Sequence, residues 1–320
     1  MSAAGGTREP SSVPRPARIC DAHHHLLDHW ADYRVAELRA DLATVPEVAS
    51  TVHVECSSWY RETGPEPLRP VGETEWVVRN ATGVAQAIVG RAELRLGAAV
   101  EEVLAAHLEA GAGRFRGIRQ LANFDPSPEL RRFEPDPGPG LLRDSRFREG
   151  FRVLGKLGLS FDTWLYFPQL PDLAALARAF PDTAIVLDHL GGPICVGPYQ
   201  GRRPEVMARW RELLREVAAC PNVALKLGGI GSPMLGHDWQ RLPRKPGAEA
   251  IADTFGDAIR FCIDLFGPER CLFESNFPVD RVSFDYAALW EAFARMVRGA
   301  SDAERAALFH DTAARVYRLG

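Results

Sequence analysis

Ile19-Cys20-Asp21-Ala22-His23-His24-His25-Leu26 is the stretch that decides how the rest of the chain is read. An apolar residue leads into three histidines, and Leu26 and Leu27 follow. In a strand, alternate side chains share a face, so His23 and His25 point to one side and His24 to the other. Two imidazoles on one face can grip a metal ion or polarise a carbonyl oxygen. The plainer reading is a surface cluster of histidines; the apolar residues around them favour a buried strand.

Working outward, seven further short apolar runs follow, at 48–55, 85–89, 115–120, 159–165, 184–189, 223–227 and 271–275. Helical patterns lie between and after them, at 73–80, 99–110, 147–157, 173–180, 204–219, 249–266, 286–297 and 303–317. The runs are continuously apolar rather than alternating, as for strands covered on both faces. Eight strands, most followed by a helix, predict an α/β fold, a single-domain (β/α)8 barrel over 18–320. A doubly wound open sheet is the alternative, but no glycine-rich dinucleotide or phosphate loop supports it. Five prolines make 126–140 a long irregular loop, a lid or simply an unstructured connection.

With 320 residues, 46% of them hydrophobic, the chain can bury a full core. Its net charge of -4, with acids and bases interspersed, argues against nucleic-acid binding or a polybasic membrane role. Residues 1–17 hold Gly, Ser, Pro and Arg without an apolar centre, so they read as a disordered leader rather than a secretory signal. The six cysteines form no C-x-x-C pair and read as buried free thiols of a reducing, cytoplasmic compartment.

In such a barrel, chemistry sits at the C-terminal ends of the strands. Strand one offers His23 and His25 there, strand two His53 or Glu55, strand four Arg119 and strand five Asp162. Strand six offers His189, strand seven Lys226, and strand eight Asn276 with Asp280 just beyond. A lone Arg or Lys at a strand end is often merely solvated, and His189 alone could be structural. Imidazoles and a carboxamide converging from strands one, six and eight point instead to a site. Glu55, Asp162 and Trp59 join Arg119 and Lys226 as expected substrate contacts.

Three ordered motifs carry a family resemblance: Asp21-Ala-His23-His-His25, Leu187-Asp188-His189-Leu-Gly191-Gly-Pro193 and Leu272-Phe-Glu-Ser-Asn276-Phe-Pro278-Val-Asp280. Together with Phe115-Arg-Gly-Ile-Arg119 and Val223-Ala-Leu-Lys226-Leu they resemble the amidohydrolase superfamily. Within it they are most similar to the branch of 2-pyrone-4,6-dicarboxylate lactonase and the sugar-acid lactonases. The resemblance implies a hydrolase in which His23, His25 and His189 surround the scissile carbonyl, directly or through a divalent metal such as Zn2+. Some lactonases of this branch need no metal. It also implies that Arg119 binds a substrate carboxylate through its planar fork, with Lys226 a second positive contact.

One departure stands out. The family's strand-eight aspartate, the base that takes a proton from water, is replaced by Asn276, and an amide has no basic lone pair for that task. Asp280 or Glu55 could serve instead, or His189, or the reaction could need no activated water, as in a decarboxylase-like lyase or an isomerase. The expectation is thus a lactonase-like hydrolase of a small acidic molecule, with the lyase and a non-catalytic binder as alternatives. A homo-oligomer is also allowed.

Overall fold

A computed structural model describes residues 16–130 and 136–319. Eight strands form one parallel sheet in sequential order: β1 Ile19–His24, β2 Val48–Val54, β3 Ala87–Gly90, β4 Phe115–Arg119, β5 Ser160–Thr163, β6 Ile185–Leu187, β7 Val223–Leu227 and β8 Cys271–Phe273. The seam between β8 and β1 is sewn just past the end of β8. There Asn276 donates its backbone N–H to His23 O at 2.8 Å, and His25 donates to Phe277 O at 2.8 Å. The expected (β/α)8 barrel is therefore what forms.

The helices are α1 Val35–Leu42, α2 Val71–Asn80, α3 Val100–Ala110, α4 Ser145–Lys156, α5 Leu170–Ala179, α6 Arg203–Ala218, α7 Ala248–Phe266 and α8 Tyr286–Met296. Local chemistry sets several ends. The Asp144 carboxylate accepts from Phe147 N and caps α4. Pro204 opens α6, where its missing N–H costs nothing. Gly267, at φ +81°, stops α7. Helix α1 was not expected; only Leu38 of its eight residues is buried, too little to write a periodic signal.

The predicted helix over 303–317 is broken into α9 Asp302–Ala306, a π-helical turn at Ala307–Asp311 and α10 Thr312–Val316. The wider turn buries Leu308, Phe309 and His310 in succession, with the Phe309 ring 4.7 Å from that of Phe273 on β8. The expected leader lies outside the described residues through residue 15, and so do residues 131–135 of the proline-rich loop. In its described part Pro128–Leu130 forms a turn whose Leu130 carbonyl accepts from Tyr166 Oη at 3.0 Å. Among the described residues no helix is long and apolar enough to cross a membrane.

Two apolar clusters divide the labour. The larger joins the strands to the helices. The smaller fills the barrel with short side chains, among them Cys20, Ala22, Val52, Val54, Val186 and Leu272, with Tyr317 closing the end away from the site. The same alternation turns Arg119, Asp162 and Lys226 inward, each being flanked by residues that face the helices.

Strand β1 breaks that alternation. Asp21 pairs with Thr51 and His24 with His53, so three residues of β1 span two of β2. Counted from Cys20 and Ala22, strict alternation would put His24 inside. The bulge instead sends His24 outward to Thr51 Oγ1 at 3.0 Å and brings His23 inside against Lys226 Nζ at 3.0 Å.

Candidate active site

A cavity of about 380 Å³ opens at the C-terminal ends of the strands, lined in part by His25, Glu55, Arg119, His189 and Asn276. His23 lies one layer deeper, buried under His25 with the two Nε2 atoms 3.2 Å apart. The His189 ring centroid is 4.7 Å from that of His23. The three predicted imidazoles thus meet.

Backbone conformation places the last two contributors. His189, Leu190 and Asn276 have φ of 54°, 58° and 55°, unusual for residues with side chains and a common mark of functional turns. The Leu190 turn is held by the buried Trp210 of α6, whose Nε1–H donates to Leu190 O at 2.7 Å. Gly229 makes room for the imidazole, because a Cβ there would lie 2.5 Å from His189 Cγ.

His189 is oriented by Glu274, whose Oε1 lies 2.6 Å from Nδ1. Burial pulls this imidazole down, but Glu274, with Asp188 and Asp280 behind it, outweighs that and holds it above the ordinary histidine range. His23 and His25 go the other way. Burial first, then Lys226 for His23 and Arg119 for His25, keeps both far below 6.5 and neutral.

The proton positions follow from the partners. His25 Nδ1 faces the Val54 carbonyl at 2.8 Å, so Nδ1 carries the proton and Nε2 the lone pair. His23 has two tautomers to consider. In one, Nε2–H donates to His25 and Nδ1 accepts from Lys226, which leaves the buried Glu274 Oε2 without a hydrogen bond. In the other, Nδ1 carries the proton 3.0 Å from Glu274 Oε2, at the expense of the Lys226 hydrogen bond, and both Nε2 lone pairs face one point. That second arrangement is a ligand pair for a divalent cation, with the carboxylate fixing the ring behind it. Donor atoms of His23, His189 and Glu274 also lie within 4.8 Å of one another. The residues therefore fit a metal such as zinc.

The remaining expected residues divide. Arg119 lines the cavity, but its Nε donates to Glu55 Oε1 at 3.0 Å, so Glu55 already balances its charge. Asn276 donates Nδ2–H to Asp280 Oδ1 at 2.8 Å, and its buried Oδ1 has no partner. Asp280 sits behind the wall, accepting from Gly231 N at 2.7 Å; burial, against these hydrogen bonds and His189, raises it to about 7.

Lys226 and Asp162, expected to touch substrate, do not line the cavity. Both are fully buried inside the barrel, 2.9 Å apart, and Asp188 Oδ1 is 3.0 Å from the same Nζ. Their inward parity is right, but the mutual ion pairs hold them beneath His23. Trp59 also misses the cavity; it stacks on Trp76 at 3.5 Å. His53 faces outward to Glu73 Oε1 at 3.1 Å, so of the two candidates on strand two it is Glu55 that reaches the mouth.

Two contributors went unread. Glu274 sits inside the third motif and shares the inward parity of Leu272, a signal that alternation along strand eight would have shown. Arg91, directly after β3, also lines the cavity. The strand-end rule, not applied to strand three, would have found it.

A (β/α)8 barrel with imidazoles, carboxylates and an amide over one mouth is the architecture of a hydrolytic barrel enzyme. The chain belongs to the amidohydrolase family, whose model matches residues 20–319. It is 35% identical over 289 residues to the uncharacterised protein y4mH of Sinorhizobium fredii, covering 90% of this chain and 86% of that one. To an L-fucono-1,5-lactonase of Burkholderia multivorans it is 32% identical over 236 residues, covering 73% and 71%. A crystal structure of an amidohydrolase from Burkholderia multivorans with bound zinc matches with a TM-score of 0.73 at 25% identity, covering 95% and 100%. The chain is an enzyme, a hydrolase of the amidohydrolase family.

Proposed function

We propose that this enzyme adds water to a lactone, or a related ester, of a small carboxylated molecule, with His189 as the general base. The observation that carries the reading is the 2.6 Å contact between His189 Nδ1 and Glu274 Oε1. It commits the Nδ1 proton to the carboxylate and leaves Nε2, on a residue lining the cavity, to receive a proton. Asn276 cannot act as base, but its unpartnered Oδ1 can accept one O–H of the attacking water and so orient it. Asp280 then positions the amide rather than touching the water.

Water attacks the carbonyl carbon as its proton passes to His189 Nε2. The acyl–oxygen bond breaks, and the same proton goes to the departing alkoxide, giving the hydroxy acid. Glu274 stabilises the intervening imidazolium. His23, buried beneath His25 with the two Nε2 atoms 3.2 Å apart, supports His25 from below rather than touching the carbonyl oxygen. Where a divalent metal such as zinc is present, His23 and His25 would hold it, and it would supply Lewis acidity at that oxygen.

The test is acid release from a panel of carboxylated lactones. The wild type should open at least one, and His189→Ala should lose about 10²–10⁴-fold in rate. No turnover across the panel, or an unimpaired variant, would overturn the proposal.

A further inference from the structure

The cavity wall carries a charge that the chemistry above does not use. Arg119 is neutralised by Glu55. Arg91 also lines the cavity, and among the described residues its guanidinium makes no hydrogen bond or ion pair. Its backbone is fixed from outside the barrel: the buried His107 of α3 meets Arg91 O through Nε2 at 2.9 Å and Thr74 Oγ1 through Nδ1 at 2.8 Å. A guanidinium on a cavity wall, without a partner among the described residues, is a receptor for a planar anion.

Two further atoms are poised without partners. Glu55 Oε2 and Asn276 Oδ1 are buried acceptors with no hydrogen bond, and each calls for a donor from whatever occupies the cavity. Arg91 follows β3, between the strands that bear Glu55 and Arg119, whereas His189 and Asn276 follow β6 and β8 across the ring.

We infer that Arg91 is the anion-recognising residue of this site and that its ligand is a hydroxylated monocarboxylate. The carboxylate seats on Arg91, on the arc of the mouth away from the reacting carbonyl, and a hydroxyl donates to Glu55 Oε2. One uncompensated arginine matches one negative charge. A dicarboxylate would bring a second charge with no free cation among the described residues of the wall. This rests on the hydrolase proposed above for the identity of the reacting end, but the anion site stands on its own geometry.

The experiment has a binding arm and a turnover arm. In the first, thermal shift is measured with millimolar panels of small hydroxylated mono- and dicarboxylates on the wild type, Arg91→Met and Arg91→Lys. Monocarboxylates should stabilise the wild type more than dicarboxylates do. Arg91→Met should lose that shift, and Arg91→Lys should retain part of it. The unliganded melting temperatures of the variants serve as the folding control. Equal stabilisation of wild type and Arg91→Met, preference for dicarboxylates, or no shift with any carboxylate would overturn the inference.

The turnover arm compares D-glucaro-1,4-lactone with D-glucono-1,4-lactone, which differ by a carboxylate in place of a hydroxymethyl group. Loss of the charged contact should raise KM for the carboxylated lactone by about 10- to 150-fold more than for the neutral one. Equal effects on both would count against Arg91. Failure of every lactone to react would count against the hydrolase proposal and leave the binding arm to decide the anion site.

Discussion

Glu274 Oε1 stands 2.6 Å from His189 Nδ1, and the carboxylate's other oxygen lies 3.0 Å from His23 Nδ1. One side chain thereby spans two of the three imidazoles of the site. On the proposed mechanism, it lets a barrel whose strand-eight position carries an amide still move a proton.

The pH profile follows. Although burial opposes it, Glu274 holds His189 above its ordinary 6.5. A base works in its neutral form, so kcat/KM should rise with pH along a limb whose midpoint lies above 6.5. Glu274→Gln removes the negative charge, so the limb should move to lower pH while kcat falls by about 10–100-fold. A limb that stays in place in the variant would show that another group titrates.

A second prediction concerns stability. Lys226 is wholly buried between Asp162 and Asp188. Lys226→Met strands both carboxylates in the barrel and should cost about 3–5 kcal/mol in urea unfolding, as expected when one member of a buried ion cluster is removed. A loss below about 1 kcal/mol, the range of exposed pairs, would contradict the burial.

Asp21 offers a pH test away from the cavity. Burial raises its carboxyl to about 6, against hydrogen bonds from Ser275 and Tyr286. The unfolded chain releases this proton first, near its ordinary pKa of about 4, so this group's contribution falls as pH rises from about 4 to about 6. Asp21→Asn should remove a slope of roughly 2–3 kcal/mol over that window. Urea unfolding of both proteins at several pH values reads it as a difference; parallel curves would refute it.

Metal binding is separable from activity. With His23 and His25 neutral and their Nε2 atoms 3.2 Å apart, zinc added to chelator-treated protein should raise the melting temperature of the wild type but not of His25→Ala. An equal rise in both would place the ion elsewhere.

How far these features could be read from the chain depends on how local they are. The eight strands were legible because buried parallel strands are continuously apolar, and strand ends named His25, Arg119, His189 and Asn276 without any tertiary information. The fate of Lys226 was not legible. Parity turned it inward, but only the packed barrel shows Asp162 and Asp188 waiting there. Nor does anything in Asp21-Ala22-His23-His24 announce a bulge, which appears only as a register difference against β2. The place of Trp59 was not legible for a similar reason, since its stack on Trp76 belongs to a helix that arrives later in the chain.

The most direct test of the central claim is the fate of solvent oxygen. A lactone that the enzyme opens should be incubated in H₂¹⁸O with the wild type and with His189→Ala. The account predicts one ¹⁸O in the new carboxylate per turnover, no CO2, and loss of both label and product in the variant. Product formed without ¹⁸O, release of CO2, or undiminished labelling by His189→Ala would contradict it.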